Sequence, residues 1–271
     1  MKLRFATYNI HRSIGRGGIK NALLTADVIK KLNADVIALQ EVAFDSYSSE
    51  NELTYLAKAV GAEVIPGPTL LDKKDLYGNA VLSRITPFHV RRMDISIDHR
   101  EPRGAIEVTY FIAGITLKIV ATHIGLRPYE RRRQIRRLLS ILDGKSADIT
   151  ILLGDFNEWF LWSRPLNWIK RRFGKLPAPA TFPARFPLLS LDRIWVHPAD
   201  CLLSLHAVTG YPAIAASDHL PLVADIDLTP CQGVSSGFGS SSRTSGDRPR
   251  LCRRRLMNLR MGPRETIHRS S

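Results

Sequence analysis

The chain has 271 residues, of which 44% are hydrophobic, and it carries a formal net charge of +14 at pH 7. That length allows one large hydrophobic core, and the lack of any run of about 18 apolar residues excludes a membrane-spanning helix. The positive charge indicates an anionic partner, such as a nucleic acid, an anionic membrane surface or a phosphorylated metabolite.

The cysteines and the first residues bear on the compartment. Cys201, Cys231 and Cys252 lack the spacing of a metal site and cannot form an even set of disulfides, which is typical of a reducing environment. Residues 2–6 are already strand-like, and no apolar signal core precedes them. We therefore expect a cytoplasmic protein without a signal peptide, with peripheral membrane contact left open, and the sequence indicates no protein partner.

Composition divides the chain near residue 229. Residues 1–229 alternate strand-like and helix-like runs, as expected of one domain that contains both helices and strands. Residues 230–271 are rich in serine, glycine and arginine and poor in apolar residues, which predicts a disordered basic tail. Such a tail either tethers the domain to polyanions or is a solvated extension without a role.

Hydrophobic periodicity predicts the order of the elements. Helices interspersed with many short strands, several of them consecutive, favour two sheets packed face to face with helices outside over a doubly wound parallel sheet. In chain order the prediction is strand 2–6, helix 20–32, strand 35–39, helix 52–60, strand 79–82, a hairpin of strands 105–111 and 116–122 that turns at Ala113-Gly114, a helix from Pro128, and strands 149–153, 194–196 and 222–226.

Four predicted strands lie beside carboxylate, amide or imidazole side chains. Buried groups of this kind are costly unless they bind something. A cluster of hard oxygen ligands with one imidazole suits a divalent metal and a phosphate ester. The simpler alternative is a set of solvated strand ends and turn-capping residues. The residues concerned are Asn9, Glu41, Asp155, Asn157, Asp218 and His219.

Two further residues complete the candidate site. A catalytic His219 needs a second carboxylate to orient its ring, and Asp192 is the candidate, because a buried Asp–His pair fixes the tautomer and raises the basicity of the imidazole. His123 follows the strand at 116–122 and can supply another imidazole at a phosphate, although a histidine in that position is often structural.

The ordered motifs resemble those of the endonuclease/exonuclease/phosphatase superfamily. It includes pancreatic-type deoxyribonucleases, exonuclease III-like repair nucleases, sphingomyelinases and inositol polyphosphate 5-phosphatases. Residues 78–84 and 181–194 look most like a small, poorly characterised bacterial branch. The six motifs, spread over nearly all of the core, are Asn9, Gln40-Glu41, Thr122-His123, Gly154-Asp155-Phe156-Asn157, Leu191-Asp192-Arg193-Ile194 and Ser217-Asp218-His219.

The resemblance implies a four-layer αββα sandwich, of the α/β (α+β) class with two packed mixed sheets, and dependence on Mg²⁺ or Mn²⁺. It makes Glu41 the principal metal ligand, helped by Asn9 and Asp218, while Asp155 either activates the attacking water or binds a second metal. It makes His219, oriented by Asp192, an acid/base or a charge stabiliser. The residues implied to contact the phosphate are Asn157, His123, Arg103 and Asn79.

Two basic surfaces bear on the substrate. In the helix from Pro128, Arg131 falls near the apolar stripe and is predicted to be structural, whereas Arg133, Arg136 and Arg137 point outward. Residues 157–181 suit stacking on bases, insertion into a lipid headgroup layer, or packing into the core. That segment carries Trp159, Phe160, Trp162, Trp168 and Phe173 among basic residues.

We therefore expect a divalent-metal-dependent hydrolase of phosphodiester bonds. A nuclease is favoured by the charge and the resemblance. A phosphodiesterase that acts on a phospholipid or its headgroup at a membrane surface is the alternative, favoured by the short core and by residues 157–181. A catalytically silent polyanion-binding module is less favoured, since every acidic and imidazole position of the motifs is present.

Overall fold

A computed structural model of the chain describes residues 1–44, 51–72, 75–142 and 147–229. The basic tail predicted for residues 230–271 lies outside these ranges. The described helices and strands, in chain order, are β1 (Lys2–Asn9), α1 (Ala22–Leu32), β2 (Val36–Phe44), α2 (Glu52–Val60), β3 (Glu63–Asp72), β4 (Asp75–Ser83), β5 (His89–Asp94), β6 (Gly104–Ile112), β7 (Ile115–His123), α3 (Pro128–Leu142), β8 (Ile149–Asp155), α4 (Arg164–Phe173), β9 (Asp192–His197), β10 (Leu202–Ala207), α5 (Ala213–Ala216) and β11 (Leu222–Asp227).

The described strands form two mixed sheets. One has six strands in the order β10-β11-β1-β2-β4-β3, and the other has five in the order β5-β6-β7-β8-β9. Strands β1 and β2 pair in parallel, as do β7 and β8, and the other pairs are antiparallel. Residues 113 and 114 both have positive φ between β6 and β7, as a tight hairpin turn requires.

Three apolar clusters define four layers. The central cluster joins side chains of both sheets, such as Phe5 of β1 and Ile119 of β7. A second cluster packs α1 and α2 against the six-stranded sheet, and a third packs α3 and α4 against the five-stranded sheet. Strands buried on both faces read as continuous apolar runs, which is how β8 appears in the sequence. The predicted sandwich of two mixed sheets flanked by helices is confirmed.

Capping residues set the ends of the first two helices. The Asn21 side chain accepts a hydrogen bond from Leu24 N, so α1 begins at residue 22 rather than at the predicted residue 20. The Asn51 side chain caps α2 in the same way. Helix α2 ends at Gly61, which adopts the left-handed conformation that glycine tolerates best.

Periodicity missed three strands and two helices, and the second of these helices, α5, is only four residues long and too short to show a period. Strand β3 carries Pro66 and Pro68 and lies at a sheet edge, where proline is tolerated. Strand β5 is also at an edge and largely exposed, and β10 is largely half-exposed, so neither shows a continuous apolar run. Within residues 157–181, which showed no helical boundary, Ser163 caps α4 through Leu166 N.

The aromatic residues between 157 and 181 divide between core and surface. Phe173 is buried in the third cluster and Trp168 packs against it, as the core alternative expected. Trp159, Phe160 and Trp162 are exposed. The core interpretation therefore holds for α4, while the preceding loop leaves its aromatic side chains in solvent.

Arg131 connects α3 to the chain that follows β8. It is buried, and its Nε atom lies 3.0 Å from Glu158 Oε2, also buried. The same guanidinium donates to the Leu126 carbonyl and lies over the Trp159 ring. Its predicted structural position is confirmed. Arg133, Arg136 and Arg137 are exposed on the outer face of α3, as predicted, and the guanidinium of Arg136 also lies over the ring of Trp168.

No helix within the described residues has both the length and the apolar character that crossing a bilayer would require.

Replacing Arg131 by alanine would leave the Glu158 carboxylate buried without its partner. We expect the free energy of unfolding to fall by about 3–5 kcal/mol, the range for breaking one side of a buried ion pair. Urea denaturation followed by circular dichroism measures the change. Arg132→Ala, on the exposed face of the same helix, is the matched control and should change stability by about 0.5 kcal/mol or less. Equal effects of the two substitutions would contradict a structural role for the Arg131–Glu158 pair.

Candidate active site

Strand register brings three of the predicted residues side by side. His123 ends β7, Asp155 ends β8 and Asp192 begins β9, and these three positions are direct register partners across the strands. Direct partners project to the same face of a sheet. The pairing of β7, β8 and β9 therefore places two carboxylates and an imidazole in one row at the edge of the five-stranded sheet.

Asn9 joins this row to the six-stranded sheet. Its Nδ2 atom donates to Glu41 Oε1 at 3.0 Å and to Asp155 Oδ2 at 3.1 Å. Its Oδ1 atom accepts from His11 N at 3.0 Å, and since a backbone N–H can only donate, this bond defines which way the amide points. One side chain from β1 thus holds carboxylates from both sheets.

Glu41 reaches Asn9 through an irregularity in β2. The prediction placed it after the end of a strand, but β2 continues to Phe44, so Glu41 lies inside the strand. The pairing of β2 with β4 shifts register between Leu39 and Val42, and Glu41 has a φ of +57°. A bulge of this kind re-aims a side chain, and it explains how a strand-interior glutamate turns toward the site.

The turn after β8 depends on glycine. Gly154 has a φ of +144°, and a Cβ atom there would lie 1.9 Å from the Thr122 carbonyl oxygen. Asp155 Oδ1 then accepts from Asn157 N at 2.9 Å, which is the Asx-type turn that the sequence left as an alternative. Asn157 Nδ2 donates to the Ile124 carbonyl at 2.9 Å and lies 3.0 Å from His123 Nε2.

Asp155 is the most connected residue of the site. Beyond its bonds to Asn9 and Asn157, its Oδ2 atom lies 3.5 Å from His123 Nε2 and 3.8 Å from His219 Nε2. Burial raises the pKa of the Asp155 carboxyl to about 6, and the nearby Asp192 charge adds to that, against the opposing effect of His219 and the two hydrogen bonds.

His219 and Asp192 form a buried pair. The Nδ1 atom of His219 lies 2.8 Å from Asp192 Oδ2, which leaves Nε2 turned toward Asp155. Burial alone lowers the pKa of His219, but the charge and hydrogen bond of Asp192, with the charges of Asp155 and Asp218, raise it to about 10. Asp192 Oδ1 is buried and has no hydrogen-bond partner among the described residues.

Ser217 anchors the segment that carries His219. Its hydroxyl donates to the Asn9 carbonyl at 2.8 Å and accepts from His219 N at 3.2 Å. The ring of Phe182 packs against the imidazole, with the ring centres 4.9 Å apart. These contacts hold the imidazole beside β1 although residues 9 and 219 are distant in sequence.

The four predicted metal ligands are brought together only in part. Asn9, Glu41 and Asp155 meet through the Asn9 amide. The carboxylate of Asp218 is 46% exposed, and it lies 3.8 Å from His11 Nδ1 and 3.4 Å from the Ser217 hydroxyl. Among the described residues, no hydrogen bond or ion pair joins Asp218 to Glu41.

Two overlapping groups of residues could hold a cation. Asp155, Asp192 and His219 each offer a ligand atom within 4.8 Å of the others. However, Asp192 already binds His219 Nδ1, so this group is better described as an imidazole oriented by a carboxylate. Glu41 and Asp155 offer hard carboxylate oxygens on either side of Asn9, and such oxygens suit a hard divalent cation, whereas Asn9 presents its Nδ2 atom to them and its Oδ1 atom to His11 N.

The three other residues predicted to contact phosphate are at the same edge but already have partners. His123 is buried, and burial, followed by the charges of Arg103 and His219, holds its pKa well below the ordinary value. Arg103 is buried and forms a bidentate pair with Glu101 at 3.0 and 2.8 Å. Asn79 Nδ2 donates to the Gly104 carbonyl at 3.1 Å, which ties β4 to β6.

Sequence reasoning missed two buried residues near the site. Tyr77 lies under the Arg12 guanidinium, and burial, followed by the charge of Glu41, raises its pKa above the ordinary value. Tyr77 lies two residues before Asn79 on β4, so the two side chains share a face of the strand, and this spacing could have indicated that Tyr77 lies near the site. Arg193 is buried with Nε and Nη2 unpartnered among the described residues, and burial lowers its pKa to about 10. Nothing in the sequence indicates that burial.

Two packed sheets with carboxylates, amides and imidazoles at one edge define a phosphoesterase-like class of fold and site. The chain belongs to the Endonuclease/Exonuclease/phosphatase family, whose model matches residues 6–219. Members of this family are hydrolases that act on phosphoester bonds, and they generally use divalent metals.

Individual relatives extend this finding. The uncharacterized protein YbhP of Escherichia coli K12 is 30% identical over 224 residues, which is 74% of this chain and 87% of YbhP. An endonuclease/exonuclease/phosphatase structure from Beutenbergia cavernae has a TM-score of 0.67 at 22% identity, covering 83% of this chain and 71% of that one. D. rerio TDP2, solved with a single-strand DNA product, has a TM-score of 0.60 at 16% identity, covering 83% and 99%. At these identities the two structures show a shared fold.

The raised pKa of His219 makes the stability of the metal-free protein depend on pH. The folded state binds the His219 proton more tightly than the unfolded state does, because the pKa is about 10 in the folded protein and 6.5 ordinarily. The resulting stabilisation is complete below pH 6.5 and is lost as the pH rises to about 10. In EDTA, His219→Gln should therefore lose more unfolding free energy at about pH 6 than at about pH 9, measured by urea denaturation. His89→Gln, at an exposed histidine, is the control and should change stability by about 0.5 kcal/mol or less. A larger loss at the higher pH would contradict the His219–Asp192 pairing.

Proposed function

We propose that this protein is a divalent-metal-dependent hydrolase of phosphodiester bonds. The observation that carries the proposal is the position of Asp155 between two different groups. On one side Asn9 links it to Glu41, and on the other it faces the Nε2 atom of the Asp192-oriented His219. A hard-oxygen group beside a carboxylate-oriented imidazole is an arrangement suited to attack by water on a phosphate ester.

Mg²⁺ or Mn²⁺ would be held by Glu41, with Asp155 and Asp218 as further candidate ligands, and Asn9 would join them through Oδ1 after its amide turned away from His11 N. When bound, the ion supplies positive charge to the phosphoryl oxygens. The gathering of two carboxylates on the Asn9 amide supports this assignment, and the exposed carboxylate of Asp218 is the weakest part of the set.

The side chains of the chain itself would orient water and move its proton. Asp155 Oδ2 is the candidate acceptor of that proton, because it is buried and faces both imidazoles. Asn157 and His123 are the candidate contacts of a phosphoryl oxygen, which would replace the 3.0 Å contact in which Asn157 Nδ2 donates to His123 Nε2. Proton transfer by a positioned side chain contributes about 10²- to 10⁴-fold to a rate.

His219 would act on the phosphate through Nε2. Asp192 binds Nδ1 and so fixes the orientation of the ring, which leaves Nε2 as the reacting nitrogen. A proton on Nε2 can be transferred to the leaving oxygen, or its positive charge can stabilise the negative charge that develops on phosphorus-bound oxygens. Both roles require the same orientation of the imidazole by Asp192.

Nucleic acid is the first candidate substrate. The net charge of +14 and the exposed arginines of α3 supply a surface for phosphates. A structure with the same fold, that of D. rerio TDP2, was solved with a single-strand DNA product. A phospholipid or its headgroup is the second candidate, favoured by the exposed aromatic side chains that follow Asn157.

Substitutions in the two groups should remove turnover and leave folding intact. We expect Glu41→Gln, Asp155→Asn and His219→Ala each to lower kcat on bis-p-nitrophenyl phosphate by roughly 100-fold or more. EDTA should abolish the activity of the parent, and added Mg²⁺ or Mn²⁺ should restore it. Glu63→Gln, an exposed glutamate on β3, is the matched control for the loss of a carboxylate and should keep full activity.

The same assay tests the alternative of a silent binding module. A parent protein that shows no EDTA-sensitive hydrolysis, but binds polyanions as well as its Glu41→Ala variant does, would favour that module over the enzyme. A panel of abasic DNA, RNA, sphingomyelin, phosphatidylglycerol and phosphoinositides with added magnesium then separates the two candidate substrates of an active protein.

A further inference from the structure

Four consecutive large apolar side chains are exposed beside the candidate site. Trp159, Phe160, Leu161 and Trp162 are 38, 45, 50 and 74% exposed. The first of them is two residues beyond Asn157, so the loop leaves the active edge directly. A contiguous exposed apolar surface is typical of an interaction site.

A second loop from the same edge adjoins the first. Leu126, in the loop three residues after His123, and Tyr129, in the first turn of α3, are each 57% exposed. Arg131 joins the two loops, because its guanidinium donates to the Leu126 carbonyl and lies 4.9 Å over the Trp159 ring. We call Leu126, Tyr129 and residues 159–162 the aromatic edge.

Hydrogen bonds to its backbone hold the longer loop in place. Lys170 Nζ donates to the Leu161 carbonyl at 2.6 Å, and Asn167 Nδ2 donates to the Trp162 carbonyl at 3.2 Å. Phe160 N donates to Glu158 Oε1 at 3.2 Å. The backbone is thus fixed from inside while the side chains project outward, which lowers the entropy lost when they bind a partner.

In the two stretches of chain that carry the aromatic edge, every exposed charged residue is basic, although the exposed carboxylates of Asp98 and Asp94 act on Arg133 and Arg137 from the segment around β5. Within residues 126–142 and 158–175 the acidic residues are Glu130 and Glu158, and both are buried in ion pairs, with Arg100 at 3.4 Å and with Arg131 at 3.0 Å. Apolar side chains ringed by cations fit an anionic partner that also has an apolar interior. The exposed cations of these stretches are Arg127, Arg132, Arg133, Arg136, Arg137, Arg164, Arg171 and Lys175.

The ring geometry favours a bilayer over nucleic acid. Bases stack on open aromatic faces, but the rings of the loop lean on each other, Trp159 on Phe160 at 59° and Phe160 on Trp162 at 48°, with centres 6.0 and 5.6 Å apart. Leu161 has no face on which a base can stack. Tryptophan flanked by lysine and arginine is the composition typical of membrane interfaces.

We propose that the aromatic edge inserts into the headgroup layer of an anionic lipid bilayer. The loops that carry it begin at His123 and Asn157, so insertion would place the candidate site against lipid headgroups. The inference deepens the second candidate substrate of the proposed function. Docking itself does not require hydrolysis, and the two ideas can therefore fail separately.

Vesicle sedimentation tests the docking with the full chain. We expect binding to vesicles that contain roughly 30% phosphatidylglycerol, and much weaker binding to pure phosphatidylcholine. The double variant Phe160→Ser/Trp162→Ser should lower the partition coefficient by roughly tenfold or more. The matched control is Phe88→Ser/Phe111→Ser. The side chains of Phe88 and Phe111 are 78 and 66% exposed, and they lie at the end of the β5–β6 pair that is far from Gly104. That variant should bind as the parent does.

Further measurements separate the possible failures. Circular dichroism establishes that each variant is folded, and Trp162→Ser alone, at the most exposed position of the loop, serves if the double variant is not. The inactive His219→Ala variant should bind vesicles as the parent does. Equal vesicle binding by the loop and control variants would overturn the proposal. So would a loop variant that keeps vesicle binding and loses affinity for a single-stranded oligonucleotide, since the surface would then be a nucleic-acid site.

Discussion

The two hydrogen bonds donated by the Asn9 amide are the interaction on which the site depends. They connect Glu41 of one sheet to Asp155 of the other, residues that the chain separates widely. The two carboxylates lie 3.0 and 3.1 Å from the same nitrogen atom and repel each other. An amide that donates to both offsets part of the cost of that repulsion. The packing of the two sheets therefore also brings the carboxylates together, because both depend on β1 and β8 meeting at this edge.

Asp155 connects that ligand group to the imidazole pair. It is buried beside His123 and His219 and held by Asn157 N, so its environment raises its pKa while its neighbours keep it oriented. Buried polar networks are stable only when their members are satisfied, yet Asp192 Oδ1 and two nitrogens of Arg193 have no partner among the described residues. Groups left this way at a strand edge are typical of a site that binds a ligand.

The candidate site and the aromatic edge share one edge of the two sheets. The loops after β7 and β8 each supply a site residue and then, within three residues, an exposed apolar side chain. Strand ends position site residues accurately, whereas the loops beyond them vary freely. In this chain the loops after β7 and β8 carry the exposed apolar side chains that would select a substrate, while Asn9, Glu41, His123, Asp155 and Asp192 of the candidate site lie on strands.

The sequence alone determined the residue types at the strand ends, since polar groups that interrupt apolar runs stand out whatever the fold. Apolar periodicity likewise determined two sheets with helices outside, but it missed the edge strands β3 and β5, whose exposed or proline-containing residues show no continuous run. Only the tertiary structure decided which groups meet. It joined Glu41 to Asp155 through Asn9, turned Asp218 toward His11, and paired Arg103 with Glu101. Such pairings depend on how separate strands pack and on a bulge in β2, and no local pattern in the chain encodes them.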